Sequence, residues 1–334
     1  MPLPLRIVFL GSDPIALPML DWLLGEGSAI AQLTAIFTQP DRPVGRGQRI
    51  TANAIKTWAL SNGLPVFQPE KLTQDIRLQL SGLNADVGLV MAYGHILSDD
   101  FIATPHFGMI NLHASLLPKY RGASPIQTAI ANGEYETGVS LMRIVRKLDA
   151  GPVADVEHVR IEKLDTALDI EAKLAAACVP LVMRTLPKLC DGSLIFTPQD
   201  DAQATFCRKL VKDDGTLDFS APASELAARI NGLFPWPACS VEIAGQPVKI
   251  GLAEALDQKV SGKSGEIVQA EGDLLVLATG KENLKLLKLQ RPGGKMLTTA
   301  EFLRGFHVAV GTIIPSRQTP LLVDKQPFRA AKKL

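Results

Sequence analysis

Asn111 and His113 stand two residues apart, after the apolar run Gly108-Met109-Ile110 and before Ser115-Leu116-Leu117-Pro118. On a β-strand that spacing puts both side chains on one face. A carboxamide donor beside a titratable imidazole can polarise a carbonyl and manage a proton. Ser115 and Pro118 break the strand and leave the pair at its end, where open α/β sheets carry their sites. Taken alone, a strand histidine also suits a hydrogen-bonded structural role. The turn Leu148-Asp149-Ala150-Gly151-Pro152 adds an acid. Folded back over the strand end, Asp149 can orient the imidazole and favour its protonated form. The alternative is an Asx turn capping a strand.

A second group of residues suits phosphate. The loop Pro40–Arg49 holds Arg42, Arg46 and Arg49 with two prolines and two glycines. Arginine forks bind phosphate bidentately, so the loop reads as a flexible arm for a polyanion, or as a solvated surface loop. Ala92-Tyr93-Gly94 falls at another strand end, beside the Asn111–His113 pair, whereas Asp86, His95 and His106 read as structural. The first turn, Gly11-Ser12-Asp13-Pro14, has only the first glycine of a dinucleotide-binding G-x-G-x-x-G, which argues against nicotinamide chemistry.

The elements that must position these residues alternate in type. Strands are expected over 7–10, 33–38, 65–67, 87–92 and 109–113, and helices over 13–24, 51–62, 72–80 and 125–132. This alternation predicts an α/β fold with a doubly wound, mostly parallel sheet. Strands over 139–145 and 156–161 follow, then a long helix over 167–189. From residue 207 the pattern changes to a short helix, 226–233, and short alternating strands over 238–243, 247–254, 265–270, 274–279 and 285–289. That pattern predicts a small β-barrel or sandwich, closed by a helix over 300–306. The expected domains are 1–206 and 207–315, with a tail over 316–334.

A chain of 334 residues is long enough for two cores. Net charge is +1, yet residues 1–206 carry 17 basic and 21 acidic side chains while residues 207–334 carry 18 and 13. A basic C-terminal third on a near-neutral chain fits contact with a polyanion. No apolar run approaches the roughly 18 residues of a membrane span, and the N-terminus reads as a strand rather than a signal peptide. Cys178, Cys190, Cys207 and Cys239 are scattered without neighbouring histidines, so neither a zinc site nor a disulfide frame is expected, and a reducing cytoplasm is.

The stretch Asn111-x-His113-x-Ser115-Leu116-Leu117-Pro118-x-Tyr120-Arg121-Gly122 resembles the signature of folate-dependent formyltransferases. Thr137-Gly138-Val139-Ser140 with Leu148-Asp149-Ala150-Gly151 resembles that family's catalytic-aspartate segment. Phe37-Thr38-Gln39-Pro40-Asp41-Arg42-Pro43 with Gly45-Arg46-Gly47 is similar to the basic insertion loop of its tRNA-acting members. Asn231-x-x-x-Pro235-Trp236-Pro237 and Gly245-Gln246-Pro247-Val248-Lys249 resemble their C-terminal domain.

The resemblance implies transfer of a formyl group from 10-formyltetrahydrofolate, a co-substrate, to the α-amine of methionine esterified to initiator tRNA, without a metal. It implies a Rossmann-like catalytic domain and an oligonucleotide-binding (OB) type of barrel. Asn111, His113 and Asp149 would be catalytic; Ser115, Leu116, Leu117, Pro118, Tyr93 and Gly94 would border the folate. Arg42, Arg46, Arg49, Lys209 and Lys249 would meet tRNA. The chain is expected to act as a monomer. Two departures stand out: Ile15 replaces a usual aromatic, and Arg146-Lys147 precede Leu148-Asp149, which would raise the positive potential at the acid. Another formyl-group enzyme or a non-catalytic RNA-binding protein on the same scaffold are the rival readings.

Overall fold

The computed structural model describes residues 4–44, 47–257 and 262–328. The chain forms two compact units: 1–121 with 138–159 and 172–204, and 122–137 with 160–171 and 205–334. The second is therefore not one contiguous C-terminal piece, as expected from the change of pattern at residue 207. It also recruits two segments from within the first part.

Among the described residues, seven strands form the central sheet. Their order is Val153–Arg160, Glu136–Arg143, Met109–His113, Val87–Met91, Leu5–Gly11, Ala31–Phe37 and Val66–Phe67. The last five pair in parallel, and Glu136–Arg143 runs antiparallel to Met109–His113. Ile7, Val8, Phe9 and Leu10 are all fully buried. Because successive strand side chains point to opposite faces, both faces of the sheet must be covered, as in a doubly wound fold. Strand order reverses between Leu5–Gly11 and Val87–Met91, and ligands of such sheets sit at that switch, beyond the carboxyl ends of the strands. The Gly11 and Met91 ends meet there through Ser12 N–H and the Ala92 carbonyl, 3.2 Å apart.

Two helices start later than the periodicity suggests. Over 13–24 the chain first makes a 3₁₀ turn, Pro14–Ala16, capped by Asp13, and only then the helix Leu17–Leu24. Pro18 has no N–H to donate to the Pro14 carbonyl, so Leu17 N–H takes that carbonyl with the tighter spacing instead. The helix expected from Thr51 begins at Ala54. Thr51 is paired opposite Arg42, and Asn53 caps the helix by accepting from Lys56 N–H at 2.9 Å.

In the second unit the antiparallel strands lie in the order Cys239–Ile243, Gln246–Leu256, Asn283–Gln290, Leu274–Ala278 and Ile267–Glu271. Leu226, Ile230 and Leu233 of the helix Ala223–Leu233 join Ile250, Leu275, Leu284 and Leu286 in one apolar core. Asn231, buried in that core, donates to the Ala253 carbonyl and accepts from Ala253 N–H, at 3.0 and 2.9 Å. Gly232 lies against the helix Pro125–Ala131, where a Cβ would come within 2.5 Å of Ala131 N. The tail expected from residue 316 is tied in as far as it is described. Arg317 N–H donates to the Leu217 carbonyl, Leu322 is buried, and Val323–Asp324 pairs with Phe206–Cys207. Among the described residues no helix is long and apolar enough to cross a membrane.

Asp214 is fully buried beneath a bidentate fork from Arg208, at 2.8 and 2.6 Å, and also accepts from Val211 N–H at 2.7 Å. Burial pushes its carboxyl up. The hydrogen bonds from Arg208 and Val211 and the charges of Arg208 and Arg229 outweigh burial and hold it below the ordinary value. A depressed folded value contributes stability that is present above the unfolded pKa of about 3.9 and is lost as pH falls through the folded one. Calorimetry from neutral pH down to pH about 3 is expected to show the second unit's Tm falling in that window. An Asp214→Asn protein, already lower in Tm at neutral pH, should lose part of that slope; an unchanged slope would remove Asp214 from the account.

Candidate active site

The strand Met109–His113 sits between Val87–Met91 and Glu136–Arg143, with Asn111 opposite Val90 and Met142 and His113 opposite Ser140. Its register places Asn111 and His113 on one face, as their spacing required. Asn111 is half-buried, and its carboxamide makes no hydrogen bond among the described residues. His113 is only 6% exposed. Its Nε2 lies 3.0 Å from the Tyr120 carbonyl, which can only accept, so Nε2 carries a hydrogen and Nδ1 is left for chemistry. Nδ1 faces Asp149 Oδ2 at 3.8 Å. That is too long for a direct hydrogen bond and short enough for an ion pair once Nδ1 is protonated. The ring is thus oriented by a backbone carbonyl rather than by Asp149, which the sequence did not suggest.

The turn after the strand supplies that carbonyl. Ser115, fully buried, donates through Oγ to the Lys119 carbonyl at 2.7 Å. Ser140 Oγ donates to the Ser115 carbonyl at 2.7 Å and accepts from Leu117 N–H at 3.0 Å, tying the turn to the neighbouring strand. Leu116, Leu117 and Pro118 are half-buried along it. The positive potential expected from Arg146 and Lys147 is largely directed elsewhere. Lys147 Nζ is held by Asp201, and Arg146 is an exposed side chain near Asp99.

Tyr93 and Gly94 follow the Val87–Met91 strand, at the sheet's switch point. Tyr93 is 3% exposed, and burial pushes its phenol well above the ordinary value. Its Oη and the Nε2 of His95 are buried without a hydrogen-bond partner, and the two rings meet edge to face at 5.0 Å. Unpaired buried polar atoms are costly, so two of them together fit a site completed by a polar ligand. His95, read as structural, belongs with this group.

Gln39 connects that turn to the arginine loop. Its Nε2 donates to the Tyr93 carbonyl at 3.0 Å, its N–H donates to Ser12 Oγ, and its own carbonyl accepts from Asn53 and Gln68. Beyond it the expected flexible arm is a two-stranded hairpin, Arg42–Val44 with Arg49–Thr51. Cross-strand pairing of Arg42 with Thr51 and of Val44 with Arg49 places both arginines on one face. Arg42 forms an exposed ion pair with Glu70 at 3.2 Å, a contact of small value that a phosphate can replace. Arg46 lies outside the described residues. Lys209 is exposed and Lys249 half-buried, both in the second unit. A groove of about 800 Å³ in that unit, between Glu134, Lys163, Glu225 and Thr319, includes none of the catalytic candidates. Among the described residues no cluster of three or more His, Cys, Asp or Glu is arranged to hold a metal.

A carboxamide, an imidazole and a carboxylate gathered at the end of a strand of a mostly parallel sheet, one strand from its switch point, are chemically suited to acyl-group transfer, and comparison with known proteins gives the class. Residues 5–186 match the formyl transferase family and residues 209–307 its C-terminal domain. The chain belongs to the formyl transferase family. It is 41% identical over 298 residues to the methionyl-tRNA formyltransferase of Pseudomonas putida (strain GB-1), covering 89% of this chain and 94% of that one. It is 37% identical over 312 residues to that of Caldanaerobacter subterraneus subsp. tengcongensis, covering 93% and 100%. Among solved structures, the sugar 3N-formyl transferase WlaRD, in the presence of dTDP and 5-N-formyl-THF, superposes with a TM-score of 0.64 at 17% identity. That match covers 86% of this chain and 97% of WlaRD, and it bears on fold alone.

Proposed function

We propose that the chain transfers the formyl group of 10-formyltetrahydrofolate to the α-amine of methionyl initiator tRNA, acting as a monomer in the cytoplasm. The observation that carries this reading is the His113 imidazole, anchored through Nε2 and presenting Nδ1 to Asp149 beside the uncommitted carboxamide of Asn111. The neutral amine adds to the formyl carbon. Asn111 and protonated His113 grip the oxygen as it becomes anionic, where one such donor is worth about 2.7–4 kcal/mol. Asp149 stabilises the imidazolium and helps move a proton, directly or through water, from the attacking amine to the folate nitrogen. The carbon–nitrogen bond to the folate then breaks, leaving tetrahydrofolate and N-formylmethionyl-tRNA. Tyr93, Gly94 and the Ser115–Pro118 turn border the folate, where the partnerless Tyr93 Oη and His95 Nε2 are suited to its polar ring edge.

Arg42, Arg46 and Arg49 bind the phosphates of the tRNA acceptor end, and Lys209 and Lys249 add contacts from the second unit. Binding should therefore weaken steeply as salt rises. Arg42→Ala is expected to raise KM for methionyl-tRNA, to flatten that salt dependence by about one phosphate contact, and to leave KM for the formyl donor unchanged. Unchanged kinetics with tRNA would sink the role of the hairpin. The activity itself is tested by incubating the purified protein with labelled formyl donor and methionyl-tRNA, glycinamide ribonucleotide or an amino-sugar nucleotide in parallel. Label is expected on the tRNA alone; label on either small amine instead would overturn the substrate.

A further inference from the structure

Asp149 occupies a demanding backbone position. Its φ is +46°, in the left-handed region that disfavours a side chain, and the turn holding it closes at a point where nothing larger than glycine fits. A Cβ on Gly151 would lie 1.8 Å from the Arg143 carbonyl oxygen. A left-handed non-glycine residue persists only when its surroundings over-determine it.

The support comes from Gln199, 50 residues further along the chain. Its Nε2 donates to the Asp149 carbonyl at 2.8 Å and to the Gly151 carbonyl at 2.7 Å, closing the turn from both sides. Its Oε1 accepts two hydrogen bonds from the Arg121 guanidinium, at 3.0 and 2.7 Å. Arg121 is fully buried and is fixed in turn by Asp201 at 2.8 Å, the carboxylate that also holds Lys147 at the start of the turn. Gln199 itself is placed by a backbone bridge two residues earlier, where Thr197 and Val153 exchange N–H···O bonds of 2.8 and 2.9 Å. Both ends of the carboxamide are therefore engaged, and its orientation is set: Oε1 must face Arg121, so Nε2 must face the turn.

Arg121 also follows Tyr120, whose carbonyl anchors His113. One connected group of hydrogen bonds thus runs from the residue beside the imidazole anchor, through Gln199, to the backbone of Asp149, whose carboxylate lies opposite the imidazole. We propose that Gln199 is a positioning residue that, held by Arg121, keeps the Asp149 carboxylate facing His113. This rests on the catalytic reading of Asp149 given above.

Four variants test it in the formylation assay with methionyl-tRNA: Asp149→Ala, Gln199→Met, Gln199→Glu, and Asp149→Ala combined with Gln199→Met. Gln199→Met keeps the length but none of the bonds. Gln199→Glu keeps an acceptor for Arg121 and loses the two donors to the turn. Both are expected to lower kcat by about 10²-fold, the cost of shifting a catalytic group by about 1 Å, with KM for both substrates at wild-type values. Gln199→Met also leaves the buried Arg121 guanidinium short of an acceptor and should lower Tm, whereas Gln199→Glu keeps that acceptor and separates the loss of turnover from the loss of stability. Adding Gln199→Met to Asp149→Ala should cost nothing more, because residues acting through one group are non-additive. Wild-type kcat in Gln199→Glu, or a full additive loss in the double variant, would overturn the proposal and reduce Gln199 to a structural partner of Arg121. Wild-type kcat in Asp149→Ala would instead remove the catalytic reading and the proposal with it.

Discussion

Asn111→Ala is expected to lower kcat for formylation of methionyl-tRNA by about 10²–10³-fold, with the Kd for the tRNA unchanged at fixed salt. The asymmetry follows from where the carboxamide stands. It is half-buried at a strand end and bonded to no protein group among the described residues, so its removal leaves no partner orphaned and costs little stability. What disappears is a donor that matters only when the formyl oxygen turns anionic, which lowers kcat without weakening a ground-state contact. His113→Ala should lose at least as much, because it removes both the second donor and the charge that Asp149 stabilises. The double variant should fall short of the product of the two losses, since groups gripping one oxygen act together. Single-turnover formylation and filter binding of the tRNA separate the two quantities. Equal loss of affinity and turnover in Asn111→Ala would place that residue in tRNA binding instead.

A large loss of stability is expected from Asn231→Leu. Asn231 is 2% exposed, and both polar atoms of its side chain bond the backbone of Ala253, itself fully buried. Leucine has similar volume but leaves a buried N–H and a buried carbonyl without partners, each at about 1–3 kcal/mol. Chemical denaturation followed by circular dichroism should show the second unit unfolding at lower denaturant. Asn111→Ala, in the first unit, serves as the control and should leave that transition in place. An unshifted midpoint in Asn231→Leu would mean that the helix Ala223–Leu233 is held by its apolar contacts with the sheet alone.

Much of this was legible before any coordinates. The parallel strands are short apolar runs between turn residues, and burial of both faces leaves them little freedom to be anything else. Asn111 and His113 share a face because a strand repeats every two residues, whatever the rest of the chain does. Boundaries were read less well where a local chemical fact outranked periodicity, as when Pro18 postponed a helix and Thr51 was taken up by a hairpin. Arg121 stood inside a recognised motif, yet nothing in its neighbourhood announced that its guanidinium would be buried. Gln199 offered less still: it lies in an irregular segment, 78 residues from Arg121 and 50 from Asp149.

The amino-acid order alone settled which strand would carry the polar pair, which turn would carry the acid and where the arginines would cluster, because these depend on spacings of a few residues. Only the folded chain decided that a backbone carbonyl at Tyr120 orients the imidazole, that Asp149 stops 3.8 Å short of it, and that a second unit gathers segments from three places. Such features come from contacts closed over tens of residues, and the free energy of closing them belongs to the whole packed unit rather than to any local stretch.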